Sequence, residues 1–560
     1  MVDVDNKSNN NNVKNEIESK IDNALALIEI EDTPSYEMYQ GEIDEGKAFV
    51  GIFSGLFLFL AMLSVITTMT RIVKKQKLQI GTLKALGFSK RKINKHYIGF
   101  GFWISLFGSI CGLLAGRYFI GKIFLEMEMS FFEIPNGRPV INTSSYIVAI
   151  LVVLATSLIT YITCSKELKK IPAESLRNEM PSVKKGSLNI TTKGIFKNLP
   201  FSSKWNLRDI LRNKFRSITG VVGIVGCCTL IVCALGMLNS INYFIKLQFD
   251  DLYNFSYKLS LKDNLKNDSI LELTNKYGDN TSMTLNIEIK DKDGNRSSNT
   301  IFVDNSNNCI KFVNKNFNFI NLSSNKGVYV TYKLAKTNNY KIGDEIIWHV
   351  YGEKKYYTSK IVGFYRDPQV QGLTATKEYI NSLKDNFYKA DTIYTNKDLK
   401  NKANIENVEI IHDKIQLKDS ISQMLSIMKK MITIIIVFAI ILGAIIIYNM
   451  GILSYSEKQY QFSTLKVLGF TDKKIRKIFV EQNNWICIIS IIIGLPLGYY
   501  LTSYLFKVCL DDNYDFGVYI EWWTYVLAAL GTYITSYIVS RILSKKIKTI
   551  DMVSSLKANE

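Results

Sequence analysis

Gly81-Thr82-Leu83-Lys84-Ala85-Leu86-Gly87-Phe88-Ser89-Lys90-Arg91-Lys92-Ile93 returns 382 residues later as Ser463-Thr464-Leu465-Lys466-Val467-Leu468-Gly469-Phe470-Thr471-Asp472-Lys473-Lys474-Ile475. The same offset pairs Trp103 with Trp485, Gly112 with Gly494, Gly116 with Gly498 and Tyr118 with Tyr500. One spacing shared by so many Gly and aromatic positions marks an internal duplication. Each copy follows one apolar run and precedes another. Each therefore reads as a short basic turn between two membrane helices.

Apolar residues make up 47% of the 560-residue chain, concentrated in runs of about 20, the length that crosses a ~30 Å hydrocarbon core. Seven runs are read this way: Ala48–Thr70, Ile98–Ile120, Tyr146–Cys164, Thr219–Phe244, Met431–Ile452, Trp485–Phe506 and Trp522–Leu543. A net charge of +19 suits either a nucleic-acid binder or a membrane protein with basic cytoplasmic loops. Its distribution decides for the membrane and against nucleic acid. Between the first two runs lie Arg71, Lys74, Lys75, Lys77, Lys84, Lys90, Arg91, Lys92 and Lys95, with no acidic residue among them. The linker after the third run, the second copy of the turn and the C-terminal tail are basic too. Residues 1–47 and the loop around Asp511, Asp512 and Asp515 are acidic. The expected orientation is a multi-pass plasma-membrane protein, N-terminus outside and C-terminus cytoplasmic. No basic n-region with a short apolar core opens the chain, so no signal peptide is expected.

Residues 245–425 lack membrane character. Tyr257–Leu261 and Thr284–Ile289 alternate polar and apolar residues as half-buried strands do. Asp293-Gly294 suggests a hairpin turn. Val328–Val330, Glu345–Val350 and Ser359–Phe364 read as strands, and Lys377–Leu383 as a short helix. The fold class is a polytopic α-helical membrane protein of about seven spans, internally duplicated, with one α+β extracytoplasmic domain. Its divisions are an acidic outside tail (1–47), a three-helix membrane domain (48–164), a basic cytoplasmic linker (165–218), a single span (219–244), the outside domain (245–425), a second three-helix domain (431–543) and a cytoplasmic tail (544–560).

The doubled Thr-Leu-Lys-x-Leu-Gly-Phe turn, with three runs around each copy, resembles the FtsX-like (MacB/LolC-type) permeases of ABC transporters. Ile171-Pro172-Ala173-Glu174-Ser175-Leu176-Arg177 resembles the element after the last helix of such a domain; Met552–Lys557 matches it only weakly. Asn206–Lys214 resembles the element entering that family's first helix, and Gly327–Val330 with Leu334-Ala335 and Ile342-Gly343-Asp344 resembles its outside domain. A half of this family has one helix, an outside domain and three helices. The second half here fits that plan. The first lacks the opening helix and nearly all its outside domain, so the chain is expected to be N-terminally incomplete. A second permease chain or a missing N-terminal fragment is then an expected partner, beside the lipid bilayer.

No enzyme is expected. The nearest approach to a phosphate-cradling loop, Gly116 to Ile123, lacks the Ser/Thr for Mg²⁺ and ends a membrane run. His96, His349 and His412 have no ligand-spaced partners, and the eight cysteines form no framework. The resemblance implies a mechanical role: a separate cytoplasmic ABC ATPase dimer, which holds the ATP and Mg, pushes on the two turns, while this chain binds no cofactor. Ile80, Leu83 and Leu86 share one helical face, and Gly87 can end that helix in a left-handed cap. Leu465, Leu468 and Gly469 repeat the pattern. The coupling residues expected are thus Ile80, Leu83, Lys84, Leu86, Gly87 and Phe88, with Leu465, Lys466, Leu468, Gly469 and Phe470. The apolar face can fill an ATPase groove; equally it can pack on the protein's own helices or lie at anionic head groups. Gly112, Gly116, Gly494 and Gly498 are expected at helix–helix contacts. Export or mechanotransmission at the outer face is the leading function. A membrane sensor or adhesin without ATP coupling, or an inactive truncated permease, stands as the alternative.

Overall fold

The computed structural model describes residues 20, 34–129, 136–169, 200–263, 265–278, 280–290, 296–305, 309–322, 326–400, 405–508, 515 and 517–549. The chain divides into two compact units. One comprises Gly51–Leu238, Ile427–Thr502 and Ile520–Glu560; the other comprises Met1–Val50, Asn239–Ser426 and Ser503–Tyr519.

The first unit is helical. In chain order come α1 (Pro34–Lys75), α2 (Lys77–Ala85), α3 (Lys90–Ala115), α4 (Gly121–Glu128), α5 (Thr143–Leu168), α6 (Phe201–Arg212) and α7 (Lys214–Lys246). A π-type turn, Gly116–Ile120, joins α3 to α4. Among the described residues seven helical stretches are long and apolar enough to cross a membrane: Tyr39–Val73, Lys90–Glu126, Thr143–Lys166, Arg216–Leu252, Lys414–Val467, Asp472–Val508 and Trp522–Lys548. They match the seven expected runs but are longer. Lipid offers the backbone no partner, so a helix that satisfies its own amides runs uninterrupted through the bilayer.

Burial is uneven among the seven. Within Arg216–Leu252, 67% of the spanning stretch is buried, more than in any other span. Its glycines explain this. Gly220 lies against Met450, Gly223 against Ile446 and Gly226 against Leu60, so the backbone of α7 comes close to its neighbours. Ser64 of α1 accepts a hydrogen bond from Asn449 Nδ2 at 2.7 Å, joining the first helices of the two three-helix sets.

The second unit carries the sheet. Its elements are β1 (Tyr257–Leu261), α8 (Asn267–Tyr277), β2 (Asn280–Lys290), β3 (Arg296–Asp304), β4 (Phe312–Val313), β5 (Phe319–Ile320), β6 (Val328–Thr331), α9 (Tyr332–Thr337), β7 (Glu345–Val350), β8 (Tyr357–Tyr365), β9 (Gly372–Thr376), α10 (Lys377–Leu383), β10 (Thr392–Thr395) and β11 (Val408–Asp413). Nine strands form one sheet in the order β11-β1-β10-β2-β3-β9-β6-β8-β7, and β7 also pairs with β2. That last pairing closes six strands into a ring. Inside it Ile287, Ile289, Ile301, Val303, Val330, Ile361 and Trp348 are buried together. Trp348 keeps its indole N–H satisfied by Ser359 Oγ at 2.9 Å. Strands β2 and β3 pair antiparallel from Ser282↔Asp304 to Lys290↔Arg296, as hairpin strands do. The Asp293-Gly294 turn itself lies outside the described residues, as do Pro172 to Arg177 and Met552 to Lys557.

The remaining elements are α11 (Lys414–Val467), α12 (Asp472–Val508) and α13 (Trp522–Ser544). The molecule is a polytopic helical membrane protein with a separate α+β domain.

Candidate functional site

Both copies of the basic turn have the same backbone. Helix α2 ends at Leu86; Gly87 follows at φ +84°. The Phe88 N–H donates to Leu83 O at 3.0 Å and the Gly87 N–H to Lys84 O at 3.2 Å. In the second copy Gly469 stands at φ +85°. There the Phe470 N–H donates to Leu465 O and the Gly469 N–H to Lys466 O, each at 3.0 Å. These paired bonds define a Schellman cap, which satisfies the last carbonyls of a helix and needs a left-handed residue. Glycine adopts that conformation without a Cβ penalty. Ser89 then caps α3, its Oγ accepting from the Lys92 N–H at 3.4 Å.

The side chains split into anchors and tips. Ile80 is buried with Val73, Ile93, Tyr97, Cys164 and Leu168, and Leu83 packs against this group. Leu465 is buried with Phe462, Ile475, Phe479, Leu543 and Ile547, and Phe470 packs against them. Leu86 and Phe88 point outward at 71% and 49% exposure, and Leu468 at 69%. The three residues expected on one face thus divide. One turn further along, the helix leaves its own bundle, so Ile80 and Leu83 face inward while Leu86 does not. The lysines brace the turns: Lys84 Nζ donates to Leu168 O at 3.0 Å, and Lys466 Nζ pairs with Asp472 at 2.9 Å.

Beside the second turn lies a buried ion network that the sequence reading did not isolate. Asp209 of α6 meets Arg216 Nη2 at 2.5 Å and Lys458 Nζ at 2.9 Å. Gln482 Nε2 donates to Asp209 Oδ2 at 2.7 Å, Lys458 also donates to Gln482 Oε1, and Arg216 pairs with Glu457. Asn206, fully buried, donates to Ile478 O at 3.0 Å. Burial pushes the Asp209 carboxyl up, but Lys458 and Arg216 more than offset it and hold it below its ordinary value. Lys458, one of the basic residues beside the second turn, is 1% exposed. The only local signal was Asp209, an acid within a strongly basic segment. The network locks α6 and α7 to the ends of α11 and α12 that flank the second turn.

At the helix contacts the two halves differ. A Cβ on Gly494 would sit 2.8 Å from Cys228 Cβ, and one on Gly498 would overlap Val232. Both glycines therefore pack directly on α7. The packing expected at Gly112 and Gly116 is not met within the chain: no other part of the described residues comes within 4 Å of a Cβ there. No described helix stands against α3 where α7 stands against α12.

Among the described residues no group of His, Cys, Asp or Glu is placed to hold a metal. His349 pairs with Glu288 at 2.7 Å on the sheet, a structural contact.

Two turns of one geometry, each between spanning helices, define a duplicated helical membrane protein. Residues 51–173 and 433–552 both match the family described as FtsX-like permease C-terminal, each match enclosing one turn and its three helices. The chain thus carries two copies of the FtsX-like permease C-terminal domain. No curated protein matches it in sequence.

Proposed function

We propose that the chain is the transmembrane subunit of an ABC transporter, in which a separate cytoplasmic ATPase dimer drives export or mechanotransmission at the outer face of the membrane. The basic turns face the cytoplasm in this reading, as their lysines favour, and the sheet domain faces outward. One observation carries the coupling role. Each turn offers an exposed leucine, Leu86 or Leu468, on a capped helix end whose neighbouring residues are fixed in the bundle. A rigid helix end with an apolar tip suits a groove on a partner. Because Leu83 and Leu465 are anchors, substituting them would disturb the fold; the tips are the residues to change.

The test is co-purification of an ATPase with the tagged chain from native membranes. The wild type should retain an ATPase, and Leu86→Asp with Leu468→Asp should lose it at unchanged thermal stability. An ATPase retained equally by both would refute docking through the tips. No ATPase with either would favour a sensor without ATP coupling.

A further inference from the structure

The two turns share a backbone but not a charge. Residues 71–95 hold nine Lys and Arg and no acid; the matching residues 453–477 hold six, with two acids. At the offset of 382, Lys75 becomes Glu457 and Lys90 becomes Asp472. Both acids are used within the chain: Glu457 pairs with Arg216, and Asp472 with Lys466 at 2.9 Å. Lys458 is withdrawn as well, buried on Asp209. In the first copy Lys75, Lys90, Arg91, Lys92 and Lys95 are all exposed.

The apolar tips differ too. Phe88 is exposed beside Leu86. Its counterpart Phe470 packs against the Leu465 cluster, with its ring 6.2 Å from that of Phe201. The first turn thus presents two apolar side chains followed closely by three consecutive cations. The second presents Val467 and Leu468, and α12 opens on Asp472 where α3 opens on Lys90. Lys90, Arg91 and Lys92, being consecutive, fan out around the axis of α3. A helix lying on lipid needs the reverse, one broad apolar face, and the Ile80 and Leu83 that would form it on α2 are committed to the bundle. A cationic fan around a small apolar tip fits a groove with carboxylates at its rim, because charges are matched across an interface.

We infer that the first turn docks into an apolar groove rimmed by Asp and Glu side chains on the ATPase, while the second turn docks by its apolar tip on a surface that needs no acidic rim. The two turns are then not interchangeable to their partner. The first makes the contact that salt weakens, since the Debye length falls from about 10 Å at 0.1 M to about 3 Å at 1 M. This inference rests on the ATPase reading above and goes beyond it by assigning the chemistry of the partner's surface.

The test is zero-length carbodiimide cross-linking of the tagged full chain in native membranes, read by mass spectrometry; the reagent joins an amine to a carboxylate in contact with it. Lys90 and Lys92 should join Asp or Glu of a protein that carries a phosphate-cradling Gly-rich loop, several-fold more often than do Lys473 and Lys474, which are also exposed. A second arm combines Lys90→Asp, Arg91→Glu and Lys92→Glu. Acids suit the positive end of a helix, so thermal unfolding should not fall. ATPase retention at low salt should nevertheless drop several-fold, whereas Lys473→Glu with Lys474→Glu should keep most of it. ATPase lost with Leu86→Asp and Leu468→Asp but held equally by both charge variants would overturn this inference and leave the docking reading standing. Equal loss from both charge variants, or equal cross-linking at both turns, would make the turns equivalent and overturn it. So would cross-links from Lys90 and Lys92 to phosphatidylserine carboxylates, which would assign the cations to lipid. No ATPase with the wild type would remove the docking reading and this inference together.

Discussion

Asp209 shows how much one residue can hold. Its carboxylate serves Lys458 and Arg216, each nearly solvent-free. Removing one partner of a buried ion pair leaves the other charge uncompensated, at about 3–5 kcal/mol. Asp209→Asn should therefore lower the thermal unfolding temperature of the solubilised chain markedly. The pH dependence has a definite sign. The folded carboxyl sits below its ordinary value, so its contribution is present above the unfolded pKa and is lost as pH falls through the folded one. The gap between wild type and Asp209→Asn should accordingly be full at neutral pH and close on acidification below 3.8. A gap that persists unchanged would show that the charge is not what Asn removes. Gly87 and Gly469 act through backbone alone, since nothing lies near either Cα to meet a side chain. Gly→Ala at each left-handed position should cost about 1 kcal/mol. The two costs should add, because the turns share no partner.

At the scale of elements, the contrast between α3 and α12 gives a paired prediction. Gly494→Leu and Gly498→Leu drive a side chain into α7, and overpacking of this kind costs about 1–3 kcal/mol. Gly112→Leu and Gly116→Leu in the isolated chain should leave unfolding unchanged. Equal losses in both pairs would mean that the glycines matter to the helix itself rather than to its neighbour. In the sheet domain, the ring closed by β2 and β7 depends on Trp348, whose body fills the interior while its N–H is paired. Trp348→Ala should destabilise that domain by about 3–5 kcal/mol, read as loss of protease resistance in the sheet. The strands themselves were legible in sequence because alternation reports one buried face. Ring closure was not, because Ile287↔Val350 and Lys290↔Ile347 join residues that no local pattern links.

For the whole molecule, the permease reading requires the turns and the sheet domain to lie on opposite sides of the membrane. Single cysteines at Lys473 and Lys354, both exposed, should react with an impermeant maleimide from opposite sides of intact cells: Lys354→Cys from outside, Lys473→Cys only after permeabilisation. Labelling of both from one side would refute the arrangement. Helix α11 has 54 residues, ~80 Å at 1.5 Å per residue, far beyond a ~30 Å core. It follows the last strand in sequence and ends at the second turn. In the proposed mechanism it is the element through which a push on Leu468 would travel, given two discrete arrangements biased by ATP.

The duplication, the seven spans, the charge alternation, several strands and the glycine caps were all readable along the chain. Each depends on neighbours within a few residues, or on a repeat visible by eye: Gly87 and Gly469 stand one place after a helical apolar stripe, and Glu345–Val350 alternates within itself. Three-dimensional packing was needed to show which leucines of the turns are anchors and which are tips, that Lys458 is buried on Asp209, and that of two matching glycine stripes one is covered and the other, among the described residues, is not. These outcomes rest on contacts between residues tens to hundreds of positions apart, such as Asp209 with Lys458 and Gly494 with Cys228. A lysine or a glycine has the same local sequence signature whether or not a distant helix arrives to meet it.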